Sequence, residues 1–483
     1  MFLFRRQFTT LKRSIRQPKF QRPMEDIAEA PQLPLKRTQN NSKMIRFNLK
    51  KLRQLNGSDK MDLMRDYIMT KSTYEAAYVY EIIIHNGFAN RLQYVDHHNL
   101  FHLLISNAIE NKKVILKIHQ QLLENEYEPS EHYWNEFLVC CTKWNDIEYT
   151  KDTIQYMLDK KLGIYSTTWS LVFTFFDKQT SIAALNHAAE LWKIMNDTLP
   201  ISRPSKSTLL SIMSIYTKLG NVNGCQQVYE QSENELPLLY MSQLKRINEE
   251  EDLIWKFETR IHFFNAYLHC FSKHHTLSET HQLYLNFYNQ GFLKSPEIKQ
   301  SSIDSQKKKK VQSNLNTFHI LFRKLIHFPI ETSQDKTLLI EHTKLYWSHL
   351  NSLNITPDYL IYEQMITLQR LSNTASVSMV EEWYRLAITS LNIQEISLKR
   401  QALDSSYLMA LIHYQDFTKA IALIKDMKNH NRRMPNKRIF ENLLDQLKIR
   451  KDIDNSHFII ELCKDIGIFE EYDYFKQLES LSQ

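Results

Sequence analysis

From about residue 70 nearly to the C-terminus, apolar residues recur at three- and four-residue spacing and strand-like alternation is scarce, which predicts helices throughout. One cluster repeats: a large apolar anchor followed three and four places on by two more apolar residues, all on one helix face. It occurs at Phe101 with Leu104 and Ile105, Trp134 with Phe137 and Leu138, Trp169 with Val172 and Phe173, and Leu209 with Ile212 and Met213. It returns at Phe264 with Tyr267 and Leu268, Phe318 with Leu321 and Phe322, Tyr362 with Met365 and Ile366, and Phe440 with Leu443 and Leu444. Tyr407 with Ala410 and Leu411 is a weaker copy. Successive anchors lie 33, 35, 40, 55, 54, 44, 45 and 33 residues apart. Two of the long steps contain polar insertions, at 241–252 and 295–314, and without them the period returns towards the mid-thirties.

Two further marks keep the same phase. A lysine follows four consecutive anchors by nine residues, at Lys143, Lys178, Lys218 and Lys273. Helix-stopping residues fall just before the next repeat, at Pro129, Gly163, Gly291 with Pro296, Pro357 and Pro435. Each unit therefore reads as two antiparallel helices and a short exit turn, and the array as an all-α solenoid.

Composition agrees. A chain of 483 residues is too long for one compact core and suits an array growing in one dimension. Only seven glycines occur, where average usage gives roughly thirty-five. A β-rich or nucleotide-binding fold needs more of the positive-φ turns and close backbone approaches that glycine supplies. Five cysteines without a C-x-x-C pair imply neither a zinc site nor a disulfide framework, and are expected as buried thiols.

Charge is unevenly placed. Residues 1–58 hold fourteen Lys and Arg against three acids, a net +11 against +7 for the whole chain, so the remainder carries −4. Affinity of the repeats for phosphates must then come from local patches. Residues 1–24 contain seven Lys or Arg, no acid, and a stripe of Phe4, Phe8, Leu11 and Ile15 at helical spacing. That combination reads as a mitochondrial transit peptide and implies the mitochondrial matrix, a basic nucleic-acid-binding tail being the alternative. A disordered linker over 25–60, repeats over 61–294, a disordered lysine-rich insertion over 295–314 and repeats over 315–483 complete the expected organisation. No apolar run is long enough to cross a bilayer.

On these marks the units resemble the pentatricopeptide repeat, in the character of its fungal mitochondrial members. The best copies are 131–165, with Tyr-Trp-Asn-Glu-Phe-Leu opening the first helix, and 261–295, with Phe-Phe-Asn-Ala-Tyr-Leu. Lys-Leu-Gly-Asn-Val at 218–222 looks like that family's turn between its two helices. The competing tetratricopeptide repeat, also about 34 residues, would place glycine in the first helices, where these copies carry bulky residues.

The resemblance implies single-stranded RNA lying in a concave groove, one base per repeat, read mainly by the residue after each anchor. Those residues are His102, Asn135, Ser170, Leu210, Asn265, His319, Glu363 and Glu441. Asn and Ser can donate and accept at a base edge. Leu210 cannot hydrogen-bond, and the two glutamates repel phosphates. Asn265 with Ser295 looks like a pyrimidine-preferring pair, while an ordinary solvated helix residue is the alternative for both Asn135 and Asn265. The four phased lysines would line the phosphate backbone or simply suit the helix dipole.

The expected function is an RNA-binding role in stabilising, processing or translating an organellar mRNA or rRNA. The alternative is a scaffold on the mitochondrial ribosome or in respiratory-complex assembly. Gly220 and Gly224 lack the Lys-Ser/Thr of a phosphate loop. His98 and His102 stand four apart, but the sequence offers them no evident third ligand, so no metal is expected. The lysine run 307–310 reads as a solvated loop. No catalytic set is visible, so no enzyme activity, cofactor or small-molecule substrate is expected.

Overall fold

A computed structural model describes residues 55–198, 204–241, 249–291, 314–373, 376–391 and 397–470, with Leu293, Asp473, Lys476, Gln477 and Ser480. The stretch read as a transit peptide, nearly all of the linker, and the insertion from Ser295 to residue 313 with its lysine run lie outside the described residues. Among the described residues, twenty α-helices follow one another in ten pairs. The first five pairs are α1 (Gly57–Met69) with α2 (Thr73–His85), α3 (Tyr94–Leu104) with α4 (Lys112–Glu124), α5 (Glu131–Lys143) with α6 (Ile147–Asp159), α7 (Ser166–Asp177) with α8 (Ile182–Thr198), and α9 (Lys206–Leu219) with α10 (Val222–Met241). The rest are α11 (Glu249–His274) with α12 (Leu277–Asn289), α13 (Leu315–Ile326) with α14 (Ser333–Ser352), α15 (Tyr359–Ser372) with α16 (Val377–Leu391), α17 (Leu398–His413) with α18 (Phe417–Asn429), and α19 (Lys437–Ile449) with α20 (Ile453–Asp465).

The expected all-α array of helix pairs is the architecture observed. All nine anchors fall on the first helix of a pair, and all are buried, Phe101, Leu209, Phe264, Phe318 and Phe440 completely. A first helix packs on its own second helix and on the first helix of the next pair, as α5 does on α6 and α7, and α15 on α16 and α17. In the best copy the Trp134 ring lies 4.3 Å from that of Tyr156 on α6, so the anchor closes its own pair.

The period reappears as the reach of hydrogen bonds. Tyr127 donates to the Leu92 carbonyl 35 residues back, Trp144 to that of Ala108 36 back, and Gln179 to Asn145 34 back. Each such bond joins equivalent places on consecutive pairs. The chain divides into two compact units, the first ending at Ile215 and the second beginning at Tyr216. That division falls inside α9.

Two boundaries differ from the sequence reading. Helix α1 begins inside the expected linker, because Asn56 accepts a hydrogen bond from the Asp59 N–H at 2.8 Å and so starts the helix at Gly57. The charged stretch 241–252 is in part helix, since α10 runs for 20 residues to Met241 and α11 for 26 from Glu249, so extra length is added to helices.

Scarcity of glycine is resolved at the helix ends. A residue just past a helix end commonly takes the left-handed conformation, usually as glycine. Gly87, Gly220, Gly291 and Gly467 do so here, but Lys71, Glu126, Asn145, Lys161, Asn354, Asn373, Gln415, Asn431 and Lys451 also stand at positive φ. The chain thus tolerates backbone strain at its turns where glycine would relieve it.

Candidate nucleic-acid interface

The residue after an anchor lies at the edge of the buried stripe, where one first helix meets the next, and its side chain can turn inward or out. Asn135 turns inward. It is 2% exposed, and its Nδ2 donates to the Glu131 carbonyl at 2.9 Å and to the Gly163 carbonyl at 2.8 Å. Its Oδ1 accepts from the Tyr165 N–H at 2.8 Å. Both amide hydrogens serve backbone groups of its own repeat, at the position where the resemblance implied a base reader.

Asn265 is likewise buried and accepts from the Thr317 hydroxyl at 2.7 Å, which ties α11 to α13. His319 approaches Gln364 at 3.3 Å through Nδ1 and Asp358 at 3.2 Å through Nε2. Burial disfavours the Asp358 carboxylate, but the His319 contact and the Ile361 and Leu360 N–H groups outweigh it and hold its pKa below the ordinary value. Glu363 shows the opposite balance: burial raises its pKa, and the bond from Ser406 offsets this only in part.

Ser170 and His102 remain nearer the surface. Ser170 meets Ser207 of α9 at 2.6 Å, and Thr174, one turn on, meets Ser211 at 3.4 Å, so two hydroxyl pairs join α7 to α9. His102 exposes 67% of its side chain and contacts Glu136 of α5 at 3.0 Å, and Glu136 also receives His132 at 3.3 Å. The third potential ligand that the sequence did not offer His102 therefore comes from the next repeat.

The four phased lysines are all exposed at the ends of first helices, Lys143, Lys218 and Lys273 within the last turn and Lys178 capping α7. Lys143 also donates to the Ile105 carbonyl at 3.2 Å, at the end of the preceding first helix. Lys324, which sequence phase did not single out, does the same to the His275 carbonyl at 2.6 Å. Glu136, Ser207, Thr317, Gln364 and Asp358 were missed as partners because each belongs to the following repeat. Reading one period ahead of each anchor would have found Glu136, which stands 34 residues after His102.

No protein-family model matches the chain, and no curated protein matches it. Among solved structures it is similar to the pentatricopeptide repeat protein PPR10 from maize at 12% identity, over 89% of this chain and 72% of that one, with a TM-score of 0.31. It is also similar to PPR10 in complex with an 18-nt psaJ RNA element, at 12% identity and a TM-score of 0.37. In that comparison the chain spans 62% of the other protein's length. No helix among the described residues is long and apolar enough to cross a membrane.

Proposed function

We propose that this chain is a non-catalytic, single-stranded-RNA-binding repeat protein that shelters, helps process or promotes translation of an organellar mRNA or rRNA by occupying it. The carrying observation is the set of exposed lysines at the ends of four consecutive first helices, Lys143, Lys178, Lys218 and Lys273. Cations in register with a repeat suit a phosphate backbone laid along it. Ser170, whose hydroxyl lies near the surface beside that of Ser207, supports base contact in the same region, and the resemblance of the units to pentatricopeptide repeats supports the RNA reading. The acid-free, Arg-rich stretch 1–24 supports the mitochondrial matrix as its site of action.

A scaffold on the mitochondrial ribosome or in respiratory-complex assembly is the second reading, favoured by a specific observation: Asn135 and Asn265, the best base readers by type, are buried and bonded within the protein. Crosslinking and sequencing of RNA bound to the chain in mitochondria separates the two. The comparison is a quadruple variant, Lys143→Gln, Lys178→Gln, Lys218→Gln and Lys273→Gln. One enriched organellar segment that disappears in the variant supports RNA occupancy, with binding in vitro falling steeply as salt rises. No enrichment over background turns the reading to the scaffold.

A further inference from the structure

We propose that His102, His132 and Glu136 form a surface site for a divalent transition-metal ion, Zn²⁺ being the ion their chemistry fits. The three potential ligand atoms lie within 4.8 Å of one another. They come from two elements: His102 on α3, and His132 with Glu136 one turn apart on α5. A four-residue spacing sets two side chains on one helix face, and α5 turns that face towards His102.

The distances have the right scale. His102 Nδ1 and His132 Nε2 stand 3.0 and 3.3 Å from the same Glu136 oxygen, Oε1. Zinc bonds of about 2.0–2.1 Å in a tetrahedron separate neighbouring ligand atoms by roughly 3.3 Å. Small rotations of exposed imidazoles are enough to centre an ion. Two imidazoles and a carboxylate are the borderline ligands that Zn²⁺ takes, whereas Mg²⁺ and Ca²⁺ ask for oxygen.

Glu136 adds an independent sign. Its carboxylate is largely buried, and while Oε1 receives both histidines, Oε2 is buried with no hydrogen-bond partner. A buried carboxylate oxygen left so is costly, and a cation beside it removes the cost. His98, one turn before His102, has a buried Nδ1 that is also without a hydrogen-bond partner. The exposed rings of His102 and His132, 67% and 55%, leave the site reachable from solvent, with water to fill the open position. A bound ion would staple α3 to α5 and so join two consecutive pairs.

The test uses the untagged full chain stripped with chelator, titrated calorimetrically with Zn²⁺ and spectroscopically with Co²⁺. One saturable equivalent is expected, with the d–d bands of a four-coordinate nitrogen and oxygen site and no thiolate-to-cobalt charge-transfer band. His132→Ala and Glu136→Gln should each weaken binding by at least about tenfold, the scale on which even the outer partners of metal ligands act. His457→Ala, an exposed histidine on α20, should leave affinity unchanged. Metal-free melting curves of the variants check that each folds. Absence of a saturable equivalent, a thiolate band, or wild-type affinity in folded His132→Ala and Glu136→Gln would overturn the site.

Discussion

Asn135 and Gly163 are joined by a 2.8 Å hydrogen bond from side-chain amide to carbonyl, across 28 residues of one repeat. The same amide receives the Tyr165 N–H, so one side chain fixes where the exit turn begins and where α7 starts. Asn135→Ala should lower stability by about 1–3 kcal/mol, the usual cost of stranding buried backbone groups. The check is the urea midpoint followed by tryptophan fluorescence. An unchanged midpoint would mean that these bonds do not hold the turn.

Lys451 stands just past α19 at φ 60°, with the Asp452 N–H returning to the Leu447 carbonyl at 3.0 Å. That is the arrangement glycine favours, and a side chain there is strained. Lys451→Gly should therefore stabilise the protein by roughly 1 kcal/mol, while Lys451→Val should destabilise it. Thermal melting of the two variants tests the sign directly.

Asp404 is completely buried between two cations. Arg400 Nε lies 3.0 Å from one carboxylate oxygen and Arg432 Nη1 3.5 Å from the other, and Tyr384 donates its hydroxyl as well. Asp404→Ala would leave the buried Arg400 guanidinium without its carboxylate and Arg432 with only Asp426, at an expected cost of about 3–5 kcal/mol. A joint replacement by Leu at 404 and Met at 400 and 432 should recover most of it, since apolar packing often replaces a buried ion cluster without loss. Denaturant midpoints of both variants decide this.

His119 stacks on Phe137 with ring centroids 4.0 Å apart and contacts the Tyr133 hydroxyl at 3.0 Å. Burial pushes its pKa down from 6.5 to about 3. The unfolded chain then takes up the proton first, so the stability present above the ordinary value is lost as pH falls towards the folded one. The slope is up to about 1.4 kcal/mol per pH unit from this residue. His119→Gln should flatten the acid limb of a stability–pH profile measured from about pH 6.5 down to 4.5. A slope equal to that of the parent would show that other groups govern it.

Much of the fold was legible because it depends on residues that must be apolar wherever they occur. Every anchor from Phe101 to Phe440 falls on a first helix, and Gly220 turns α9 into α10 where the Lys-Leu-Gly-Asn-Val segment announced it. The pair α1 and α2 carried no such anchor and was read partly as linker. Positive-φ turns at Lys161 or Lys451 leave no trace in composition, because the residue there is one that elsewhere sits comfortably in a helix. The site was less legible than the fold. The position after an anchor can face solvent, as at His102, or turn inward, as at Asn135, and the choice depends on partners about one repeat away.

The lysine bonds between consecutive first helices carry a consequence for repeat length. Lys143 reaches a carbonyl 38 residues back and Lys324 one 49 residues back, yet both end at the same kind of joint. The interface between neighbours sets that joint, and the length of chain between them does not. Closing a longer loop costs little, about 0.6 kcal/mol for each doubling. Extra chain between consecutive first helices therefore leaves the joint in place, which is how anchor spacings as different as 33 and 54 residues end in the same kind of contact.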